Sequence, residues 1–216
     1  MEFYMRKQRK IKIGLSVFVL FLFAIWTYLL TVIDVRSIGA CDTNVGFASL
    51  NCCFHNMTGI DLYLYAVTDI LGLVPIMICV FFAFVGFIQL VKRKRLFLVD
   101  HDILLLGAFY IFVIFTFLIF EFLVINYRPI LIDGELEPSY PSSTTMLVLC
   151  VIPTTCHQIK RRVKNPTVRT MLVILSVLFA LFVLVARILS GVHWITDIIG
   201  GIIFSIGSVG LYYSLT

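Results

Sequence analysis

The chain has 216 residues, 61% of them hydrophobic and only 13% charged, with a mean hydropathy of +1.05. Soluble domains carry about 45–50% apolar and about 25% charged residues, so a water-soluble globular protein is excluded and an all-α polytopic membrane protein is expected. The net charge of +5 reads as topology determinants beside anionic lipid, with no nucleic-acid partner.

The first apolar run long enough to cross about 30 Å of hydrocarbon is Ile13–Ile33, preceded by the basic stretch Arg6–Lys12. No small-residue cleavage pattern follows it, so an uncleaved span is expected rather than a signal peptide. Residues 34–60 are polar and hold Cys41, Cys52 and Cys53, which are either bridged from Cys41 to one of the other two or all free. Asn56-Met57-Thr58 fits a glycosylation acceptor pattern. Leu62–Leu90 and Ile103–Ile125 read as the next two spans, and residues 126–144 as a second polar segment. Thr145–His157 is short and contains Pro153, so it spans only if its polar ends extend into the interface. Val168–Val185 and Ile195–Leu215 complete a six-transmembrane-helix bundle, joined by residues 190–194, in a single domain of residues 1–216.

Of the 17 Lys and Arg residues, five lie in Arg6–Lys12, four in Lys92–Arg95 and five in Lys160–Arg169. With six alternating spans all of these fall on one side, which the positive-inside rule makes cytoplasmic. Both termini then face the cytoplasm, the plasma membrane is the expected location, and residues 34–60, 126–144 and 190–194 face outward. Arg36, Arg128 and Arg187 are the basic residues left for the outer face.

Two outer segments carry chemistry. Arg or Asp at a helix centre costs about 2.5–3.5 kcal/mol on insertion scales, yet Arg187, His193 and Asp197 lie together between two apolar runs. The spacing of four between His193 and Asp197 puts them on one face if the segment is helical, and a carboxylate on one imidazole nitrogen leaves the other free to attack or to carry a proton. Ser190-Gly191 supplies a turn between Arg187 and His193. In the second segment Pro141 is followed by Ser142, Ser143 and Thr144, a helix-start signature whose hydroxyls and N–H groups favour an anion. Arg128 is expected on the same membrane face, so cations and N–H groups converge as in an oxyanion pocket. No His, Cys and carboxylate cluster has zinc spacing, and no metal or cofactor is expected.

Arg128-Pro129, Pro141-Ser142, and Arg187 with five residues before His193 and three more before Asp197 resemble the three-part signature of the type 2 phosphatidic acid phosphatases, a six-helix membrane family. The resemblance implies a lipid phosphate phosphatase in which His193 attacks phosphorus, Asp197 orients it, and Arg128, Arg187, Ser142 and Ser143 hold the phosphoryl oxygens. Three positions depart from the pattern: Ala186 stands for Ser, Glu121 for the Lys seven before Arg128, and Thr144 for the general-acid His. A neutral Glu121 could donate to phosphate; the blander reading pairs it with Arg128 or with a neighbouring helix. Asp69 reads as a buried polar partner, and the oligomeric state is left open. The missing acid points to lipid diphosphates of the polyprenyl type, whose leaving group needs no proton. Two alternatives remain at this level: a non-catalytic binder of lipid phosphates, and a phosphotransferase to an acceptor other than water.

Overall fold

The computed structural model describes the backbone of residues 2–216 and the side chains of residues 6–216. The described residues form eight α-helices in order: α1 (Glu2–Val32), α2 (Ala48–Thr58), α3 (Leu62–Leu71), α4 (Leu73–Arg93), α5 (His101–Phe122), α6 (Ser143–Arg162), α7 (Pro166–Leu189) and α8 (Ile195–Leu215). Strands among the described residues are confined to the antiparallel pair β1 (Arg36–Ser37) and β2 (Asn44–Val45).

Among the described residues, five segments are long and apolar enough to cross a membrane: α1 from Arg6, α3 with α4 as one unit, α5, α7 and α8. Their outward faces expose Phe18, Phe21, Phe81, Phe84, Ile111, Phe115, Leu178 and Phe182, a surface that only lipid would solvate. The run read in the sequence as one span from Leu62 breaks at Gly72 into α3 and α4. Pro75, three residues further on, lacks an N–H and crowds the carbonyl four residues before it, which interrupts the helix there.

The sixth expected span, Thr145–His157, lies inside α6. That helix has 20 residues, about 30 Å of rise, but it is not among the helices apolar enough to face lipid. It does not have to be. α4, α5, α7 and α8 all pack against it, and Thr144, Thr145, Met146, Val148, Cys150, Val151, Thr154 and Gln158 are buried. Its polar groups are answered within the protein: Thr154 Oγ1 lies 3.2 Å from the Tyr110 hydroxyl, and Gln158 Nε2 donates to the Tyr212 hydroxyl at 3.2 Å.

α8 is the other central helix. α1 lies along it with Leu20 against Gly207 and Ser16 against Gly210, the small-residue contact that lets two membrane helices approach closely. Leu106, Met146, Val151, Phe204 and Tyr212 form the interior between α5, α6 and α8. At the end of the bundle where α8 begins, α2 is pinned by Asn51, whose Nδ2 donates to Thr196 Oγ1 at 3.0 Å. Cys41, Cys52 and Cys53 are unpaired thiols there, so of the two sequence alternatives the structure shows the free one.

Candidate active site

Residues 126–139 fold back on themselves as an irregular hairpin, held by bridges Tyr127–Pro138 and Ile132–Glu135 and turning at Asp133-Gly134, both with positive φ. Arg128 N–H donates to the Glu137 carbonyl at 3.1 Å and Ser139 N–H to the Asn126 carbonyl at 2.8 Å. This brings Asn126, Arg128 and Ser139 to one end of the hairpin, directly before α6. The turn from α7 to α8 is as tightly fixed. Gly191 has φ +66° and a Cβ there would meet the Gly59 carbonyl oxygen at 1.8 Å, so only glycine fits. The Ser190 carbonyl accepts from Asp61 N–H at 3.0 Å.

These elements bring Arg128, Arg187, His193 and Asp197 into one cluster, all four buried. His193 Nε2 lies 3.1 Å from Arg187 Nη2, and Arg187 Nη1 donates to Thr68 Oγ1 at 3.1 Å. The guanidiniums of Arg187 and Arg128 lie 4.9 and 5.6 Å from the ring centre of Tyr65. Arg128 Nη2 pairs with Glu137 at 3.0 Å, whereas Arg128 Nε and Nη1 and Arg187 Nε are buried donors without a partner. Buried unpaired donors are costly, and three of them on two cations beside one imidazole make a place for an anion.

His193 and Asp197 do not touch. His193 precedes the first residue of α8, so the one-face argument from their spacing fails, and Ser139 stands between them. Its Oγ is 2.9 Å from His193 Nδ1 and 2.5 Å from Asp197 Oδ2. Asp197 also accepts from Asn126 Nδ2 at 3.0 Å and from Trp194 N–H at 3.1 Å. Burial, then the charges of Arg187 and Arg128, hold the His193 imidazole well below the ordinary histidine range.

His193 opens onto a cavity of about 230 Å³ walled by Arg128, Ser139, Ser143, Glu121, Glu137, Phe117 and Phe120. Ser143 reaches this wall; Ser142 lies fully buried behind it as the residue before α6, its hydroxyl accepting from Thr145 Oγ1 at 3.0 Å and capping nothing. Glu121 lies on the wall, but the carboxylate paired with Arg128 is that of Glu137. Thr144 is buried on the first turn of α6, near Gly72, and is not part of the wall. Sequence reasoning missed Tyr65, Asn126 and Ser139.

The sequence matches the PAP2 superfamily over residues 15–216. Comparison with curated proteins gives no match. Among solved structures, the chain is similar to a transmembrane PAP2 type phosphatidylglycerolphosphate phosphatase from Bacillus subtilis, with TM-score 0.61 and 19% identity over 93% of this chain and 94% of that one.

Proposed function

Because this chain belongs to the PAP2 superfamily, we propose that it is a membrane lipid phosphatase acting through a phosphohistidine intermediate. The observation that carries this reading is the convergence of His193 Nε2 with two guanidiniums that hold unpartnered buried donors. A terminal phosphate entering the cavity meets Arg128 on its wall, and reaches Arg187, which lies off the wall behind His193, as it displaces the Nη2 hydrogen bond from Nε2. Its three non-reacting oxygens take hydrogen bonds from Arg128 and Arg187, with Ser143 at the start of α6 adding a hydroxyl and the N–H groups of a helix terminus. The Nε2 lone pair forms the N–P bond as the P–O bond to the leaving group breaks and its electron pair departs on that oxygen. Water then attacks phosphorus, the N–P electrons return to Nε2, and orthophosphate leaves carrying the oxygen and both protons of the water.

The leaving group decides the substrate class. A lipid monophosphate expels an alkoxide, which needs a proton in the transition state, and a positioned acid contributes about 10²–10⁴-fold. Thr144 is a poor acid and lies off the cavity wall. A lipid diphosphate expels a phosphate monoester, stable as an anion because its second pKa is about 6, so polyprenyl-type diphosphates are the favoured substrates. The single domain of residues 1–216 crosses the plasma membrane six times, with both termini cytoplasmic and the site on the outer face. Lipid enters sideways past Phe117 and Phe120.

The test uses purified full-length protein and lipids labelled with ³²P in the terminal phosphate. Wild-type protein should retain acid-labile, alkali-stable label and turn over the diphosphate at least 10-fold faster than a chain-matched monophosphate. His193→Ala should carry no label and show no turnover while still binding lipid. Turnover at the wild-type rate in His193→Ala removes the nucleophile assignment; saturable binding without turnover in wild type makes the protein a binder.

A further inference from the structure

Ser139 belongs to no motif recognised in the sequence, yet it touches both members of the pair that the chemistry requires. The hydrogen-bond roles at its hydroxyl are fixed by elimination. An ionised carboxylate only accepts, and Asp197 already accepts N–H bonds from Asn126 and Trp194. The Ser139 proton therefore points at Asp197 Oδ2, leaving Oγ lone pairs toward His193 Nδ1, and the ring must donate there. The opposite side of the ring gives the same answer independently. Arginine has donors and no acceptor, so the nitrogen facing Arg187 Nη2 at 3.1 Å carries a lone pair. Both ends specify a neutral imidazole with hydrogen on Nδ1 and a bare Nε2.

We infer that Ser139 is a positioning residue for the phosphohistidine chemistry proposed above, relaying the Asp197 carboxylate to His193 through its hydroxyl and fixing the tautomer in which Nε2 attacks. The relay is held from behind. Ser139 N–H is tied to the Asn126 carbonyl and Asn126 Nδ2 to Asp197 Oδ1, so one hairpin end positions both side-chain partners of the carboxylate. When the N–P bond forms, the ring becomes cationic and its Nδ1–H donates more strongly; the Ser139 hydroxyl accepts it and is itself polarised by Asp197. No proton needs to leave Ser139 in either step. The charged groups facing the ring are Arg187 from α7, Arg128 from the hairpin with Glu137 paired to it, and Asp197 from α8.

The test compares wild type, Ser139→Ala, Ser139→Thr, Asp197→Asn and the Ser139→Ala/Asp197→Asn double variant. Ser139→Ala should lower kcat about 100-fold, less than the roughly 10⁴-fold lost when the carboxylate that orients a catalytic histidine is neutralised outright, with KM within about 3-fold of wild type. It should also move the acid limb of the pH profile to lower pH, because the cationic ring has lost its hydroxyl acceptor and keeps only the Ser139 backbone. Ser139→Thr, which keeps the hydroxyl, should recover most of the rate. The double variant should be no slower than the worse single one, as expected for residues acting in one chain. Nitrogen-15 histidine spectra of the unliganded protein should show the Nδ1–H tautomer at His193 in wild type and lose it in Ser139→Ala. Wild-type kcat and acid limb in a Ser139→Ala protein that melts normally would overturn the relay. So would multiplicative losses in the double variant, or acid-stable label on Ser139, which would make it the nucleophile. The spectra require no turnover, so an inactive wild type with the expected tautomer refutes the phosphatase reading and leaves the relay standing.

Discussion

Two guanidinium groups share a small buried space beside His193, and their mutual repulsion is offset by what surrounds them. Tyr65 presents its ring to both, at 4.9 and 5.6 Å, an arrangement worth about 0.5–2 kcal/mol per cation depending on desolvation. Glu137 neutralises Arg128 until an anion arrives. Burial, together with the same two cations, depresses the His193 pKa well below 6.5, so the imidazole, the nucleophile of the proposed chemistry, stays neutral through mildly acid pH. Protonation that removes the nucleophile must therefore occur at lower pH than for an ordinary histidine. The acid limb of kcat/KM, which reports the free enzyme, should lie below pH 6.5 once the substrate's own ionisation near pH 6 has been measured and divided out. Replacing Arg187 with Gln should move that limb upward. A limb at or above pH 7 in wild type would contradict the electrostatics. Arg128, Arg187, His193 and Asp197 were legible as a cluster because charge in an apolar context stands out. Tyr65, Asn126 and Ser139 were not, since an aromatic in a span reads as ordinary core and a polar residue in a loop carries no periodic signal. Ser139 meets its partners 54 and 58 positions along the chain, a proximity that only the fold supplies.

At the level of elements, the start of α8 and the segment leading into α6 are pressed together to a degree that side chains would prevent. A Cβ on Gly200 would lie 2.4–2.8 Å from ring atoms of Tyr140, next in sequence to Ser139, and Ser142 N–H donates to the Asp197 carbonyl at 3.2 Å. Tyr140 is itself fixed, with its hydroxyl 2.7 Å from Thr27 Oγ1 and its ring stacked on Phe23. Gly200→Ala should thus displace the ring, destabilise the protein by about 1–3 kcal/mol, and reduce kcat at least 10-fold by shifting Ser139, measured by thermal melting in detergent and by steady-state turnover. Unchanged kcat with a lowered melting temperature would separate the packing role from the catalytic one. α6 itself was visible in the sequence only as the short run Thr145–His157, because hydropathy registers surfaces that face lipid. A helix packed against four neighbours is free to carry Thr154 and Gln158, provided each finds a partner.

Across the whole molecule, basic clusters segregate from the cavity. Lys92–Arg95 and Lys160–Arg162 close the C-terminal ends of α4 and α6, whereas His193 and Arg128 lie at the opposite ends of α7, α8 and α6. Cysteine placed at Asp133, on the tip of the hairpin, should react with an impermeant thiol reagent in intact cells when Cys41, Cys52 and Cys53 are absent; labelling only after lysis would put the cavity on the cytoplasmic side. The outline of the bundle was readable from apolar run lengths, but the crowding of α6 by four neighbours was not, because it depends on which faces meet. That crowding has a consequence for biosynthesis. Lipid offers α6 little reason to remain in the bilayer, so its place is secured only as α7 and α8 arrive beside it. Asp197 is carried by α8, and Ser139 is aligned by Asp197. Under the proposed function, the nascent chain therefore presents lipid phosphates with scattered cations and no aligned His193, and completion of its own assembly is what switches the chemistry on.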